Sequence, residues 1–294
     1  MSIHSSESIS SATEVAHILL AHTDPSHLEK IITKLQHANS KIFIHIDAKV
    51  PLEPFNFLAA KFPNCELLTH RYRIHWGGFS MVHATLRIME YILKHHRVQY
   101  INLLSGSDYP LRSAHLFHEF LADNPNKGFV EYEDEASDWG KESIVKTSYY
   151  HYVDFTVPGK YWIQWVVNSL LPRRTFPKEL TFIGRSQWMT LTTEQVAYVL
   201  KFEKENPKII RYFRYTWGAD EYFFQSILYA SPHQKELVNN NLRFIRWEKG
   251  KASPEILTEK HYKDLIESHA FFGRKFDPLK SESLINLLDA DLTK

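Results

Sequence analysis

An α/β fold built on a largely parallel sheet is predicted for this chain, and three observations predict it. Short apolar runs of strand length recur at Val15–Ala21, Lys41–Asp47 and Gln99–Ser105. Helix-spaced apolar residues occupy the intervals between such runs. No internal repeat or low-complexity linker interrupts the alternation, so the elements are expected to share one domain.

The segment 1–13, MSIHSSESISSAT, is polar and serine-rich and is expected to be a disordered tail. Val15–Ala21 then reads as a buried strand. Ser26-His-Leu-Glu29 has the spacing of a capping box and predicts a helix to about Gln36. Lys41–Asp47 is a second strand, Cys65–His70 a third and Gln99–Ser105 a fourth. Between the last two, Val82, Leu86, Met89, Ile92 and Leu93 predict a helix over 81–96. This rhythm implies right-handed crossovers, and ligands of such sheets sit beyond the carboxyl ends of the strands. Ala21, His22, Asp47, Ala48 and the loop 71–78 should therefore surround one crevice. Beyond Pro110 the pattern is less regular. The acidic run Glu131–Glu135 reads as a solvated face, and Leu180–Leu191 as a strand pair containing Gly184. Thr192-Thr-Glu-Gln195 caps a helix to about Asn206, and 216–226 leads into another.

Composition narrows the function classes. Of 294 residues, 44% are hydrophobic and 23% charged, an ordinary globular balance. The 35 basic and 34 acidic residues nearly cancel, which argues against a nucleic-acid partner bound by bulk charge. The single cysteine, Cys65, excludes an intrachain disulfide and a cysteine zinc cluster, and suits a reducing compartment. The 17 histidines show no HExxH spacing. Residues 1–13 lack the apolar core of a signal peptide, and no run of 18 or more apolar residues is available to span a bilayer. A complete soluble protein with a short frayed tail is expected.

One segment carries candidate chemistry. Thr216–Ser226 places Asp220 and Glu221 where a turn enters a helix anchored by Phe223, Phe224, Ile227 and Leu228. Acids there suit a helix dipole. A carboxylate held rigidly beside aromatic rings also suits a general base that deprotonates an alcohol. Neither a Walker A sequence nor a G-x-G-x-x-G is present, and Gly77-Gly78 is by itself only a tight turn.

Six ordered segments add to this. They are His45–Lys49, Ile74–Gly78, Ile101–Pro110, Ser186-Gln-Trp188, Thr216–Ser226 and Phe271-Phe-Gly-Arg-Lys-Phe-Asp277. In order, they resemble the core-2/I-branching N-acetylglucosaminyltransferases and peptide O-xylosyltransferases, in a compact bacterial form. The resemblance implies a modified GT-A fold: a single domain over 14–294, with a nucleotide-binding half at 14–125 and an acceptor-side, catalytic half at 126–294. It implies an inverting transfer of xylose or N-acetylglucosamine from a UDP-sugar to the hydroxyl of a glycan, lipid-linked glycan or peptide.

By that resemblance Glu221 is the catalytic base. Ala21, Asp47, Ile74, His75, Trp76, Ser253, Arg274 and Lys275 bind the UDP-sugar, and Glu131, Gln187 and Trp188 face the acceptor. The family needs no metal, so no cofactor is expected. Arg274 and Lys275, flanked by Phe272 and Phe276, are the cations expected to meet the diphosphate. The only Asp-x-Asp, Asp289-Ala-Asp291, reads as a solvated tail. Gln187 departs from an acid in the xylosyltransferases, whereas Glu131 resembles a glutamate of the other branch. No anchor, stem or disulfide framework accompanies the motifs, so the expected location is the bacterial cytoplasm or the inner face of its membrane. The stretch 161–174 combines aromatic, aliphatic and basic residues and suggests peripheral membrane contact. The alternative class is a catalytically silent carbohydrate- or nucleotide-sugar-binding protein on the same fold.

Overall fold

A computed structural model describes residues 13–248, 250–251 and 253–292. The expected tail 1–13 therefore lies, apart from Thr13, outside the described residues. The chain enters through strand β1 (Val15–Ala21) and turns into helix α1 (Pro25–Lys34). The cap of α1 is Asp24, whose Oδ1 accepts from His27 N at 2.7 Å, rather than the predicted Ser26. Pro25 explains the shift, because its fixed φ and missing N–H suit the first helical position. β2 (Ser40–Ile46), α2 (Asn56–Lys61), β3 (Cys65–Leu67), α3 (Phe79–His95) and β4 (Tyr100–Ser105) follow.

β5 (Asp108–Pro110), α4 (Ala114–Asp123), β6 (Gly128–Val130), β7 (Tyr132–Asp134), α5 (Asp138–Thr147) and α6 (Lys160–Leu170) come next. β8 (Ile183–Arg185) and β9 (Thr190–Thr192) precede α7 (Thr193–Glu205). Here the predicted cap is found in full: Thr192 and Gln195 form a reciprocal capping box. α8 (Pro207–Arg214), α9 (Phe223–Tyr229), β10 (Leu237–Asn239), β11 (Arg243–Ile245), α10 (Tyr262–Glu267), β12 (Phe272–Arg274) and α11 (Glu282–Leu292) complete the order.

The principal sheet has seven strands in the order β10-β6-β9-β4-β1-β2-β3. β1 pairs in parallel with both β2 and β4, β2 with β3, and β6 with β10; only β9 runs against its neighbours. The mixed α/β class with a mostly parallel sheet is thus as predicted. β1 is buried on both faces. Its Ala16, Ile18 and Leu20 join one apolar cluster with α3, α7 and α9, while Val15, Leu19 and Ala21 join a second with α1, β2 and α11. That two-sided burial is why the strand reads as a continuous apolar run.

Three local readings are corrected. β8 and β9 are not a pair: β8 pairs with β7, and β9 inserts between β4 and β6. The acidic run is not uniformly solvated, since Glu131 is half-buried and Glu133 stands 3.3 Å from Arg185. Asp289-Ala-Asp291 belongs to α11, where Leu284, Ile285 and Leu288 are buried and Asp289 pairs with Lys34 at 3.0 Å and accepts from the Tyr109 hydroxyl at 2.7 Å. The apolar spacing in 282–292 anchors these aspartates to the protein.

Candidate active site

The carboxyl ends of β1, β2, β4 and β6 open onto one cavity of about 410 Å³, as expected where a parallel sheet changes direction of growth. Its wall carries Ala21 after β1, Asp47 after β2, Ser105–Ser107 after β4 and Glu131 after β6. Ile74, Trp76, Gln187, Trp188, Glu221, Ser253, Arg274 and Lys275 complete the predicted set around it. His75 is the exception and does not line the cavity. Its backbone N–H donates to Ser80 Oγ at 2.8 Å, and its Nδ1 lies 3.4 Å from Asp154.

On the β2 side, Asp47 is buried and ties the 71–74 loop to the sheet. Its Oδ1 accepts from Lys49 N at 2.8 Å and its Oδ2 from Ile74 N at 3.3 Å. Lys49 Nζ closes the clasp on the Ile74 carbonyl at 2.6 Å. This clasp carries Trp76 to the rim, where it is 65% exposed and meets Trp217 edge-on with centroids 5.3 Å apart.

Glu221 ends a short 3-10 turn, Ala219–Glu221, and α9 starts two residues later. The residues predicted to anchor it do so: Phe223, Phe224, Ile227 and Leu228 are all buried, and Tyr222 is buried beside them. Loss of water at the cavity wall, then the charge of Asp220, push the Glu221 carboxyl well above its ordinary range, with Lys146 and Arg185 pulling the other way. Asp220 is raised too, mainly by burial. Its Oδ1 is buried and has no hydrogen-bond partner among the described residues. An acid of high proton affinity facing a cavity suits proton abstraction from a hydroxyl.

The cationic wall is less symmetric than its sequence. Arg274 ends β12 and is half-buried, 2.7 Å from Asp108 Oδ1 and bonded to Ser105 Oγ. Its guanidinium lies 4.4 Å from the Trp188 ring centroid. Asp108 is fully buried and also accepts from Ser105 N and Ser105 Oγ, both at 2.9 Å. Lys275, by contrast, shows no ion pair or hydrogen bond at Nζ among the described residues. Its carbonyl accepts from Leu257 N at 2.8 Å, which fixes the loop carrying Ser253 against the same wall.

On the β6 side, Glu131 Oε2 accepts from Asn241 Nδ2 at 2.7 Å, and burial raises its carboxyl above the usual range. Gln187 is buried with Nε2 unpartnered among the described residues. Several residues of the site carried no individual role in the sequence reading. Ser105 and Asp108 sit in a quoted motif whose meaning emerges only when β12 pairs with β5 and brings Arg274 opposite Asp108. Arg185 lines the cavity through the pairing of β8 with β7. Asp154, which accepts from Ser80 N at 2.9 Å at the start of α3, has no local signal at all. Among the described residues no group of three or more His, Cys, Asp or Glu side chains is placed to hold a metal ion.

A family model described as Core-2/I-Branching enzyme matches residues 15–267. Xylosyltransferase oxt of Drosophila pseudoobscura pseudoobscura is 26% identical over 270 residues, covering 84% of this chain and 29% of that protein. Xylosyltransferase 2 of Rattus norvegicus is 25% identical over 303 residues, covering 95% of this chain and 33% of its own length. The chain thus spans about a third of the curated relatives it matches. Among solved structures, the apo form of mouse xyloside xylosyltransferase 1 aligns over 88% of this chain and 97% of its own, with 11% identity and a TM-score of 0.39, too loose a likeness to argue from.

Proposed function

We propose that this chain, which belongs to the core-2/I-branching enzyme family, is an inverting glycosyltransferase that moves a sugar from a UDP-sugar to an acceptor hydroxyl without a metal ion. The observation that carries the reading is one cavity uniting Glu221 with Arg274 and Lys275. An acceptor hydroxyl entering from the Glu131 and Gln187 side gives its proton to Glu221 as its oxygen bonds to the anomeric carbon. The bond to the β-phosphate oxygen breaks on the opposite face, so configuration inverts and UDP leaves with the electron pair. Lys275, whose Nζ has no partner among the described residues, meets most of the charge that develops on the diphosphate. Arg274, already balanced by Asp108, contributes its remaining donors and holds the wall in place.

Ala21 and Asp47 fall to the uridine side and the Ile74–Trp76 loop to the sugar. Ser253 falls near the diphosphate. Xylose is the donor sugar favoured by the relatives' names, and N-acetylglucosamine is the competing choice. Screening UDP-sugars for thermal protection, coupled to release of free UDP, tests the reading. A donor at about 100 times its dissociation constant should add about 2.7 kcal/mol of stability. Protection without UDP release across sugar, glycan and peptide acceptors would instead identify a silent nucleotide-sugar-binding protein.

A further inference from the structure

We propose that α6 and its flanks form a docking face for an anionic lipid bilayer. No residue of α6 is buried. The side turned to the protein mixes polar Gln164 and Asn168 with the half-buried Val166 and Val167: Gln164 Oε1 accepts from Tyr152 N at 2.9 Å, and Asn168 brackets Tyr150, accepting from its N and donating to its carbonyl, both at 2.8 Å. The outward side carries Tyr161, Trp162 and Trp165, which are 71%, 68% and 66% exposed. A water-facing helix keeps its large aromatic rings on the inward stripe instead of presenting them to solvent. Among the described residues, half of the exposed large apolar side chains fall within 155–171. Clusters of this kind mark interaction surfaces.

Charge and residue type select the occupant. Between Asp154 and Glu179 the chain has no acid and four cations: Lys160, Arg173, Arg174 and Lys178. Arg174 is committed inward, to the carbonyls of Tyr149 at 2.8 Å and of Tyr215 at 2.5 Å. Arg173 and Lys178 are exposed, and Lys160, at the head of the helix, is half-buried and donates to the Val153 carbonyl at 3.1 Å. Trp and Tyr beside cations, with no acid among them, suit the headgroup region of an anionic leaflet, where rings sit at the polar boundary and Lys and Arg meet phosphate. None of the described helices is long and apolar enough to cross a membrane, so contact would be along the surface.

The segment leading into the face is tied to a loop of the cavity rim. Asp154, between α5 and α6, accepts from Ser80 N and Ser80 Oγ next to the loop that carries Trp76. Docking would set the rim at the bilayer, where a lipid-carried acceptor is presented. That consequence rests on the transfer reading; the binding itself does not.

Flotation with phosphatidylcholine vesicles, with and without about 20% phosphatidylglycerol, tests it directly. The protein should float with the anionic vesicles and be released as salt rises. The double change Trp162→Ser, Trp165→Ser should lower partitioning roughly tenfold or more while leaving the unfolding midpoint unchanged, because both rings are solvent-facing. If that variant loses stability, quenching of the single variant Trp165→Ser by brominated lipid reads the same contact. Failure of the unaltered protein to float at low salt, or equal flotation of the double variant, overturns the proposal. Patch-dependent dimerisation without vesicle binding also overturns it, in favour of a protein partner. Transfer to a soluble acceptor, measured on the same variant, separates failure here from failure of the enzymatic reading.

Discussion

The amide of Gly218 donates to the carbonyl of Gly77 at 2.8 Å, joining the loop of Trp76 to the turn of Glu221. Both glycines have positive φ, 71° at Gly77 and 68° at Gly218. A side chain at Gly77 would also meet the Trp217 indole nitrogen at 2.8 Å. The Trp76 loop and the turn of the candidate base are therefore tied together, although about 140 residues separate them, and such bracing is what positions a base to within a fraction of an ångström.

The same turn is braced from behind by Gly184. A Cβ there would lie 2.1 Å from the Glu221 carbonyl oxygen, so Gly184→Ala must push the turn away. We expect transfer to fall by roughly 10²-fold, the usual effect of misplacing a reacting group by about 1 Å. UDP affinity should hold, because the cationic wall is on β12. Calorimetry with UDP and steady-state kinetics on the same sample check this. Parallel loss of both would show that the whole cavity had collapsed.

Glu221→Gln keeps the shape of the side chain and removes its basic oxygen. Transfer should fall by about 10²–10⁴-fold with UDP binding near unchanged. Activity above roughly a hundredth of the starting value would move the base elsewhere.

The pH profile carries a sign. Burial and Asp220 raise Glu221, and only its ionised form accepts a proton, so the rate should climb with pH through a limb above the ordinary carboxylate range and then level off. Asp220→Asn removes the neighbouring negative charge, lowers the proton affinity of Glu221 and should move that limb to lower pH. Lys146→Ala removes a stabilising cation and should move it higher. An unmoved limb in both variants would separate the limb from Glu221.

How much of this could be read beforehand follows from the range of each interaction. β1 and the helix over 79–95 are specified by local apolar spacing, and the Thr192 cap by residues three apart, so the sequence announces them. The seating of β9 between β4 and β6 is non-local, and neighbouring apolar runs at 180–191 read as a strand pair instead. That Ala21, Asp47 and part of the 71–78 loop share one crevice was legible because parallel strands deliver their carboxyl ends to one edge, whereas Glu221, Ser253, Arg274 and Lys275 were placed at the site only through the family resemblance and are found lining the same cavity. The partnership of Arg274 with Asp108, across 166 positions, was not. Nor was His75's turn toward Asp154, since nothing near residue 75 encodes the approach of residue 154.

Turnover should survive EDTA and respond little to added manganese, given a cationic wall formed by Arg274 and Lys275. Complete loss with chelator, restored by manganese, would mean that carboxylates of the cavity hold an ion in the working complex and that the cations act elsewhere.

The two cations should then part company. Lys275→Ala removes a charge with no protein partner at Nζ among the described residues, so the fold should be indifferent to it. UDP affinity should drop roughly ten- to hundredfold, the usual cost of a lost charge-assisted contact, and UMP affinity much less. Arg274→Ala does more. It strips a guanidinium from Trp188 and leaves the fully buried Asp108 with only the Ser105 donors. Breaking a buried pair on one side typically costs about 3–5 kcal/mol, so this variant should unfold at distinctly lower temperature as well as bind UDP poorly. Arg274→Lys should recover part of the stability through Asp108 but not the guanidinium's contact over the Trp188 ring. Thermal unfolding beside calorimetry with UDP and UMP reads both effects. Equal destabilisation by the two alanine variants, or equal loss of UDP and UMP in Lys275→Ala, would assign the leaving-group charge to another residue of the wall, with Arg185 the next candidate.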